Sequence, residues 1–509
     1  MSSRALSPRT PIGIIGAGAM GAGIAQVAAA AGHAVHFLDA RDGAAAQAIA
    51  GIQAQFDNMA AKGKMSAKAA QAASQRLHAA ASMAELASMG LVVEAIVENL
   101  EVKRDLFRQL ETVCSASCIF ATNTSSISIT SIAAGLNNPA RLVGMHFFNP
   151  APLMALVEII SGLATDVSVA GVLFDTAKAW GKIPVFAKST PGFIVNRVAR
   201  PFYAEGLRLL QEGAADSATI DAILRELGGF RMGPFELMDM IGHDVNFAVT
   251  QSVWRAFYND PRFLPSLIQQ ELVEAGYLGK KTKRGFYNYA ESASAPVAHT
   301  QATAPCPKDI TVHGESRAAT ALVTRLANTG LKVHRAPAQQ ECLAQVDGVR
   351  IFQTDGRTAT LRAQVTGVSQ LVLCDVALNH DTATRMAISV AQQADASALQ
   401  AATGLFQAAG YAVSCLRDVP GLAVMRTVAM LANEAADAVN QGVCDALSAD
   451  TAMRLGVNYP RGPLAWADDI GVAHIHKVLK HLGDFYGEDR YRVSPLIQQS
   501  VYAGKPLHV

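Results

Sequence analysis

At 509 residues, the chain is too long for a single hydrophobic core, and its length alone predicts about three or four domains. Half of its residues are hydrophobic and 17% are charged, which excludes an intrinsically disordered protein. The 43 basic and 42 acidic residues nearly balance and form no basic run, which argues against a protein that binds nucleic acid.

Neither a membrane span nor a targeting segment is predicted. No apolar stretch approaches the roughly 18 residues that cross a bilayer, and the N-terminal MSSRALSPRTP lacks the apolar centre of a signal peptide. Seven cysteines without framework spacing favour free thiols in a reducing cytoplasm. We expect no metal site either, because neither the cysteines nor the histidines of the C-terminal region have ligand spacing; those histidines are His474, His476 and His481.

In chain order, the first predicted elements are a strand at Ile12–Ile15, a helix at Ala22–Ala31 and a strand at Val35–Leu38. A long helical region follows over residues 42–80. Further strands are predicted at residues 91–99, Cys118–Thr122 and Arg141–Phe147, with a helix after the first of them. This alternation predicts an α/β domain of the Rossmann type with a parallel sheet.

A glycine-rich turn joins the first strand to the first helix. Gly16, Gly18 and Gly21 form G-x-G-x-x-G, in which one glycine makes the turn, the next admits a pyrophosphate and the third lets helix pack on strand. Asp39 ends the second strand, where a carboxylate accepts hydrogen bonds from ribose hydroxyls and repels a 2′-phosphate. The pattern therefore predicts a site for NAD rather than NADP.

The segment HFFNPAPLMALVEII, residues 146–160, carries His146 and Glu158 at the two sides of an almost wholly apolar run. Taken alone, the two residues fit a structural ion pair as well as a catalytic pair. Ser125 and Ser126 follow a predicted strand at its carboxyl end, and the next strand carries His146 toward the same edge. Open α/β sheets bind their ligands at that edge.

Together, the segments GAGAMGAGIAQ, VVEAIVENLEVK, NTSS, HFFNPAPLMALVEII and TPGFIVNR closely resemble the L-3-hydroxyacyl-CoA dehydrogenase family, over residues 11–290. The resemblance implies an enzyme that interconverts (3S)-3-hydroxyacyl-CoA and 3-oxoacyl-CoA with NAD. It also implies that His146 is the general acid/base and that Glu158 orients it. In this family Ser125 would bond the reacting oxygen, and Asn196 would help to hold the substrate carbonyl. A group that titrates near neutrality suits proton transfer in both directions.

The resemblance also implies which residues contact the ligands. For NAD they are Gly16, Gly18, Ala19, Met20, Gly21, Asp39, Glu98, Lys103, Ser125, Asn149 and Lys281. For coenzyme A they are Gln55, Lys62 and Ser125. Gln55 stands where the family has a serine, and an exposed lysine such as Lys62 is as readily a solvated surface residue as a phosphate contact.

The second half of the sequence repeats the first half. Gly314 aligns with Gly16, 298 positions earlier, and Gly330 with Gly32. The other two glycines of the turn have become Ser316 and Ala319, and Asp39 has become Pro337. We therefore expect the second copy to have lost the pyrophosphate turn and the ribose acid.

Further along the chain the offset falls to 229, since Pro191 aligns with Pro420, so the second copy is shorter by 69 residues. Under this offset the four catalytic positions change. Ser125, His146, Glu158 and Asn196 fall on Thr354, Asp375, Ala387 and Met425. The second half is therefore predicted to be catalytically silent.

These observations predict a Rossmann-type NAD-binding domain and an all-α helical domain, then a degenerate, shortened Rossmann-like copy and a second helical domain. The predicted bounds are 1–190, 191–290, 309–419 and 420–509, with an Ala-, Ser- and Pro-rich linker over 291–308. Because helical domains of this family meet at subunit interfaces, the two helical domains are predicted to form an internal pseudo-dimer. Further homo-oligomerisation stays open.

The two-copy form resembles bacterial enzymes of phenylacetate catabolism, and the sequence leaves 3-hydroxyadipyl-CoA and 3-hydroxybutyryl-CoA open as substrates. Dehydrogenation alone is expected. A non-catalytic NAD-binding protein is the alternative from another class, and it predicts losses among Ser125, His146, Glu158 and Asn196, all of which are present. A 3-hydroxyisobutyrate-type dehydrogenase would use a lysine as acid/base and would not explain HFFNP.

Overall fold

The computed structural model describes residues 5–327, 329–339 and 341–508, so residues 1–4, 328, 340 and 509 of the predicted division lie outside the described residues. The chain divides into two compact units. The first contains the chain up to Arg197 together with Gln441–Asn458, and the second contains Val198–Asn440 and the chain from Tyr459 onward. No helix of the described residues is long and apolar enough to cross a membrane.

An eight-stranded sheet forms the centre of the first unit. Its strands are β1 (Ile12–Ile15), β2 (Val35–Leu38), β3 (Leu77–Ala79), β4 (Leu91–Glu94), β5 (Ile119–Thr122), β6 (Leu142–Phe147), β7 (Leu156–Ser161) and β8 (Ile183–Lys188). They lie in the order β3-β2-β1-β4-β5-β6-β7-β8. Neighbouring strands are parallel except for the antiparallel pair β6 and β7. All residues of β1, β4, β5 and β6 are buried, as expected for strands covered on both faces.

Seven helices accompany this sheet in the first part of the chain. They are α1 (Ala19–Ala30), α2 (Ala44–Ala61), α3 (Ala67–Ser74), α4 (Leu100–Val113), α5 (Ile129–Ala133), α6 (Val167–Ala179) and α7 (Val195–Val198). Side-chain caps explain where several begin: Asn99 accepts hydrogen bonds from backbone N–H groups of the first turn of α4, and Asp166 caps α6 in the same way. The strand order reverses at β1, which opens a crevice at the carboxyl ends of β1 and β4.

The second unit begins with the helices α8 (Arg200–Gln211), α9 (Ser217–Glu226), α10 (Pro234–Ile241), α11 (His243–Ala256) and α12 (Leu267–Glu274). A seven-stranded sheet follows, with β9 (Ile310–His313), β10 (Val333–Ala336), β11 (Cys342–Val346), β12 (Val349–Gln353), β13 (Leu371–Cys374), β14 (Arg385–Val390) and β15 (Ala412–Cys415). The helices between these strands are α13 (Arg317–Leu326), α14 (Ala359–Thr366) and α15 (Ala396–Ala408).

The two sheets repeat one another. β9 begins 298 positions after β1, and β13, β14 and β15 each begin 229 positions after β6, β7 and β8. The predicted fold class is therefore confirmed, with a full and a reduced Rossmann-type domain. The shortening has a specific form. Among the described residues, β11 is the one strand or helix between β10 and β12, whereas α2, α3, β3, β4 and α4 lie between β2 and β5.

β11 takes the place in the sheet that β4 has in the first copy, between the first strand and β12. It is antiparallel to both neighbours, whereas β4 is parallel to β1 and β5. A short turn at Asp347 and Gly348 joins it to β12. Because its direction is reversed, β11 begins at the edge of the sheet where β4 ends in the first copy.

The chain ends with α16 (Val424–Asn440), α17 (Ala446–Gly456), α18 (Pro463–Ile470), α19 (Val472–Tyr486) and α20 (Pro495–Ala503). α17 belongs to the first unit, where it packs on β7 and β8. Its counterpart α9, which begins 229 positions earlier, packs on β14 in the second unit. Each sheet is thus covered in part by a helix from the other copy, an exchange that the sequence offsets do not predict.

Candidate active site

The antiparallel register of β6 and β7 places His146 directly opposite Glu158. Nδ1 of His146 lies 2.7 Å from Oε2 of Glu158. His146 is 6% exposed and Glu158 is fully buried. Since a carboxylate only accepts hydrogen bonds, we assign the imidazole proton to Nδ1, which leaves Nε2 as the nitrogen that can meet a substrate.

The other oxygen of Glu158 holds the start of a helix. Oε1 accepts hydrogen bonds from the backbone N–H groups of Ile194 and Val195, at 3.0 and 3.1 Å, where α7 begins. Phe193, just before them, has a left-handed backbone with φ of 49°, and its ring centroid lies 5.9 Å from that of His146. With both oxygens engaged, the carboxylate has one orientation, and it fixes that of the imidazole.

The ends of β5 and β6 are tied to one another and to the start of α7. The amide of Asn123 accepts a hydrogen bond from the backbone N–H of Phe147, 2.8 Å away. Nδ2 of Asn196 donates to the backbone carbonyl of Ser125 over 3.3 Å. Sequence reasoning gave Asn123 no role, although it opens the NTSS segment. The structure thus brings Ser125 and Asn196 together, beside the strand that carries His146.

Glu98 organises the loop that contains Ser125. Its Oε1 accepts hydrogen bonds from Thr124 Oγ1 and from the backbone N–H groups of Ser125 and Ser126, at 2.6, 3.0 and 3.1 Å. Its Oε2 lies 3.3 Å from Nζ of Lys103. Burial alone would raise the pKa of Glu98, but these hydrogen bonds and the charge of Lys103 outweigh it and lower the pKa.

Lys103 itself is 1% exposed, and its amine also lies 2.5 Å from Glu94 Oε1. Lys103 is held between two carboxylates inside the domain, and Glu98 connects it to the loop that contains Ser125. Glu98 keeps 37% of its side chain exposed and is the member of this trio that a ligand can reach.

The three glycines after β1 meet three different needs. A Cβ on Gly16, whose φ is 107°, would lie 2.4 Å from the carbonyl oxygen of Ala95, and one on Gly21 would lie 1.8 Å from that of Gly16. Gly18 is the reverse case, because a Cβ there would meet nothing within 4 Å. Gly16 is therefore needed for the turn, Gly21 for helix packing, and Gly18 leaves open backbone at the helix start. These residues fit a dinucleotide pyrophosphate.

Asp39 lies beside the glycine turn. Oδ2 accepts a hydrogen bond from the N–H of Ala17 at 2.6 Å, and Oδ1 accepts from the N–H and Nε of Arg41 at 2.9 and 3.1 Å. Burial opposes the charge of Asp39, but the hydrogen bonds from Arg41 and Ala17 lower its pKa. The carboxylate borders a cavity of about 890 Å³, which is lined mainly by Gly16, Gly18, Leu38, Ile96, Val102 and Leu106. This cavity has the apolar walls and the acidic rim that an adenosine needs.

A second cavity of about 880 Å³ lies between α1, α2 and the loop 149–153. Ala19, Gln55 and Asn149 are among its lining residues. Lys182 holds the loop in place, since its amine donates to the carbonyl oxygens of Ala151 and Met154 at 2.6 and 2.8 Å. Helix α2 thus borders a cleft in the same unit as His146.

The remaining predicted residues lie as follows. Met20 is half-buried in the first turn of α1, and Lys62 is exposed at the end of α2. Lys281 lies in the second unit, where its amine is 2.5 Å from Oδ1 of Asp244. In the described parts of the chain, no group of three His, Cys, Asp or Glu side chains is arranged to hold a metal ion.

In the second copy, the edge that corresponds to the active site is filled. Asp355, at the end of β12, pairs with Arg357 and Arg362, and Lys477 of α19 lies 3.6 Å away. A Cβ on Gly356 would lie 2.6 Å from the carbonyl of Val478, so α19 packs directly on this loop. The positions of His146 and Glu158 are taken by Asp375 and Ala387, so that particular pair has no counterpart in the second copy.

Comparison with known proteins covers nearly the whole chain. Residues 11–190 match the family described as 3-hydroxyacyl-CoA dehydrogenase, NAD binding domain, and residues 192–289 and 421–507 both match its C-terminal domain. Residues 351–420 match the 3-hydroxybutyryl-CoA dehydrogenase reduced Rossmann-fold domain. The two matches to one C-terminal domain agree with the internal repeat.

Among individual proteins, the chain is 43% identical over 498 residues to a 3-hydroxyadipyl-CoA dehydrogenase of Escherichia coli, with 96% of each covered. The crystal structure of 3-hydroxybutyryl-CoA dehydrogenase from Escherichia coli matches with a TM-score of 0.89 and 42% identity, over 98% of this chain and 99% of that one. A shorter relative, (S)-3-hydroxybutyryl-CoA dehydrogenase from Ralstonia eutropha, is 38% identical with a TM-score of 0.54, and all of it matches 56% of this chain.

Proposed function

Since this chain belongs to the 3-hydroxyacyl-CoA dehydrogenase family, we propose that it interconverts (3S)-3-hydroxyacyl-CoA and 3-oxoacyl-CoA with NAD, and that His146 carries the proton. The observation that supports this most is the 2.7 Å contact between His146 and Glu158, with Nε2 left for the substrate. A binding protein without catalysis would not need this pair, and it stands in the copy that has kept the glycine turn.

In the oxidation direction, Nε2 of His146 takes the hydroxyl proton of the substrate while the carbon is oxidised. NAD, when bound, supplies the hydride acceptor. Glu158 stabilises the imidazolium that forms, because its carboxylate accepts from Nδ1 in both protonation states. In the reduction direction the same nitrogen returns the proton. Ser125, whose loop is fixed by Glu98, would bond the reacting oxygen, and Asn196 would hold the carbonyl beside it.

The proposed NAD contacts are those implied by the family. The glycine turn with Gly16, Gly18 and Gly21 would hold the pyrophosphate, and Asp39 would hold the ribose hydroxyls. Support comes from the open backbone at Gly18 and from the lowered pKa of Asp39, which keeps that group an acceptor at neutral pH. Ala19, Met20, Glu98, Asn149 and Lys281 remain proposed contacts, and Lys103 would contribute through Glu98.

The acyl-CoA is proposed to lie along the cleft between α1, α2 and the loop 149–153. Gln55 lines this cleft, and the exposed Lys62 at the end of α2 offers a positive charge for a CoA phosphate. The second copy has no counterpart of α2 and α3, which agrees with a single acyl-CoA site in each chain.

The proposed substrates are 3-hydroxyadipyl-CoA and 3-hydroxybutyryl-CoA, in aromatic catabolism of the phenylacetate type or in fatty acid degradation. These are the acyl groups in the names of the full-length relatives. The proposed location is the cytoplasm, consistent with the absence of any disulfide among the seven cysteines.

The two helical parts are proposed to form an internal pseudo-dimer. α8 of the first copy packs on α16 of the second within one unit. Arg426 of α16 is fully buried, with its Nε 2.6 Å from Glu205 Oε2. We also propose the five-part division with a linker at 291–308, and further homo-oligomerisation.

Cutting the linker tests the pseudo-dimer. The fragments should stay together on a sizing column, and their separation would contradict the pseudo-dimer.

The experiment that tests the function is NADH consumption by the purified protein, with acetoacetyl-CoA and 3-oxoadipyl-CoA measured side by side. Turnover of either is expected, and the ratio of kcat/KM values identifies the preferred acyl group. Tight NADH binding without reduction of either substrate would contradict the proposal and favour a binding protein.

A further inference from the structure

A segment of the silent second copy is built into the unit that carries His146. Residues 441–458 belong to the first unit, although they follow α16 in the chain. The backbone N–H of Lys188, at the end of β8, donates to the carbonyl of Val443 over 2.9 Å. α17 then packs on β7 and β8. β7 is the strand that carries Glu158, so this segment lies against the support of the proposed catalytic pair.

α17 approaches β7 and α7 closely at Gly456, its last residue. A Cβ there would lie 2.9 Å from Cδ2 of Leu156 and 2.9 Å from Cγ2 of Val195. Leu156 begins β7, two positions before Glu158. Val195 donates its backbone N–H to Glu158 Oε1 at 3.1 Å. Val195 is β-branched and has little rotamer freedom in a helix, so it cannot easily make room for a larger neighbour.

A second contact joins this segment to Arg197, the neighbour of Asn196. Nη1 of Arg197 donates to Oε1 of Gln441, 2.9 Å away, and Arg197 is 2% exposed. Arg197 follows Asn196, whose amide holds the backbone of Ser125. Gln441 thus helps to fix the helix turn from which Asn196 projects.

The same contact occurs a second time in the chain with the copies exchanged. Arg426 and Glu212 are the 229-offset counterparts of Arg197 and Gln441, and Arg426 lies 3.1 Å from Glu212. A glutamate therefore makes this contact in one copy and a glutamine in the other. The arginine contact is therefore present in both copies.

We propose that Gly456 and Gln441 are positioning residues for the His146–Glu158 pair and for Asn196, so that the second copy serves the reaction without chemistry of its own. This inference rests on the proposed function. Gly456 lets α17 approach closely enough to hold Leu156 and Val195, and through them Glu158. Gln441 holds Arg197, and through it the turn of Asn196.

The test compares four single variants of the full chain, Gly456→Ala, Gln441→Leu, Gln441→Glu and Gly483→Ala. Gly483→Ala is the matched control, because it also adds a methyl group to a helix of the second copy, where the nearest atoms would be 3.9 Å away. For each variant, kcat, KM for acetoacetyl-CoA, the pH profile of kcat, the NADH dissociation constant and the thermal midpoint are measured.

Gly456→Ala is expected to lower kcat by about ten- to a hundredfold and to change its pH profile, because small displacements of a catalytic group are costly. The NADH dissociation constant should stay the same, since the glycine turn is not touched. Gln441→Leu is expected to lower kcat by roughly fivefold, the scale of one hydrogen bond. Gln441→Glu should keep the wild-type kcat, because a glutamate can accept the same hydrogen bond from Arg197. Gly483→Ala should leave kcat unchanged.

If these residues had only a structural role, the variants would have a lower thermal midpoint, but their folded fraction would keep the wild-type kcat and pH profile. That result would overturn the inference. Should Gly456→Ala fail to fold, the pair Gln441→Leu and Gln441→Glu decides in the same way, because equal kcat in both contradicts the proposal. An inactive wild type would remove the proposed function and this inference with it. An active wild type with equal kcat in every variant overturns this inference alone.

Discussion

Asp375 of the second copy holds the start of α16 as Glu158 of the first copy holds the start of α7. Oδ2 of Asp375 accepts hydrogen bonds from the backbone N–H groups of Ala423 and Val424, at 2.9 and 2.7 Å. These are the counterparts, 229 positions later, of Ile194 and Val195, which donate to Glu158. In the first copy this carboxylate lies on β7. In the second copy it follows β13, the counterpart of β6, at the position that corresponds to His146.

The turn before each helix is also the same. Gly192 and Phe193 have φ angles of 75° and 49°, and their counterparts Gly421 and Leu422 have 76° and 52°. Because this left-handed turn persists where no chemistry does, it serves the helix start rather than catalysis. Glu158 therefore has two separable tasks, to hold a helix and to orient a histidine, and Asp375 has only the first.

Replacing Glu158 by glutamine separates these tasks. The amide oxygen can still accept both backbone hydrogen bonds, but the negative charge that stabilises a histidinium is lost. Glu158→Gln is expected to lower kcat by roughly two to four orders of magnitude, as for other carboxylates that orient a catalytic histidine. Steady-state kinetics measures kcat, and circular dichroism shows whether the fold is kept. Glu158→Ala is the comparison, and it should also reduce the free energy of unfolding by about 1–3 kcal/mol. Wild-type kcat in Glu158→Gln would contradict the assigned role.

Asp375→Asn should have the opposite profile. Its Oδ1 also accepts from the N–H of Met425, so the amide nitrogen of asparagine must face one of these donors. We expect the free energy of unfolding to fall by about 1–3 kcal/mol, with kcat unchanged. Urea unfolding measures the first quantity and NADH consumption the second. A loss of kcat in a fully folded variant would contradict the purely structural role assigned to Asp375.

The choice of cofactor should depend on Asp39. Because hydrogen bonds from Arg41 and Ala17 lower its pKa, Asp39 is ionised at neutral pH and would repel a 2′-phosphate. Asp39→Ser is expected to weaken NADH binding and to shift the NADH to NADPH preference by at least about tenfold, since like charges in contact cost several kcal/mol. The ratio of kcat/KM values for the two cofactors measures this. An unchanged ratio would place the ribose contact elsewhere.

The ion pairs of Asp355 should make the free energy of unfolding of the second unit depend on pH in the acid range. Burial opposes its charge, but Arg357 and Arg362 lower its pKa from 3.8 to about 2. A lowered pKa in the folded state contributes stability that is present above 3.8 and is lost as pH falls through about 2. Asp355→Asn should therefore reduce the free energy of unfolding by roughly 2–3 kcal/mol at pH 7, and the difference from wild type should close between pH 4 and pH 2. A difference independent of pH would contradict the ion-pair account.

Much of this architecture follows from local patterns in the sequence. The glycine turn predicted the first β-α-β unit, and the repeat predicted a second, shortened Rossmann-like copy, whose strands β9, β13, β14 and β15 lie at the offsets of 298 and 229. His146 and Glu158 were predicted to act together, and the register of β6 and β7 places them opposite one another. These features depend on the identity and spacing of nearby residues, which a sequence displays directly.

What the sequence did not predict depends on segments that are distant in the chain. β3 lies inside a region predicted as helical, because a three-residue strand at a sheet edge has almost no periodic signal. The reversed strand β11 replaces β4 through a turn that the offset alone does not display. The exchange of α9 and α17 between the two sheets depends on packing, and neither helix carries a sequence motif that identifies the sheet on which it packs.

The central claim is that His146 carries the proton of the reaction, and the most direct test compares His146→Gln with wild type. NADH consumption with acetoacetyl-CoA gives kcat, and NADH fluorescence gives the dissociation constant. His146→Gln should lower kcat by roughly two to four orders of magnitude, the scale of a lost general base, while NADH binding stays unchanged. A variant that binds NADH and turns over at the wild-type rate would show that another group transfers the proton, and the assignment of the His146–Glu158 pair would fall.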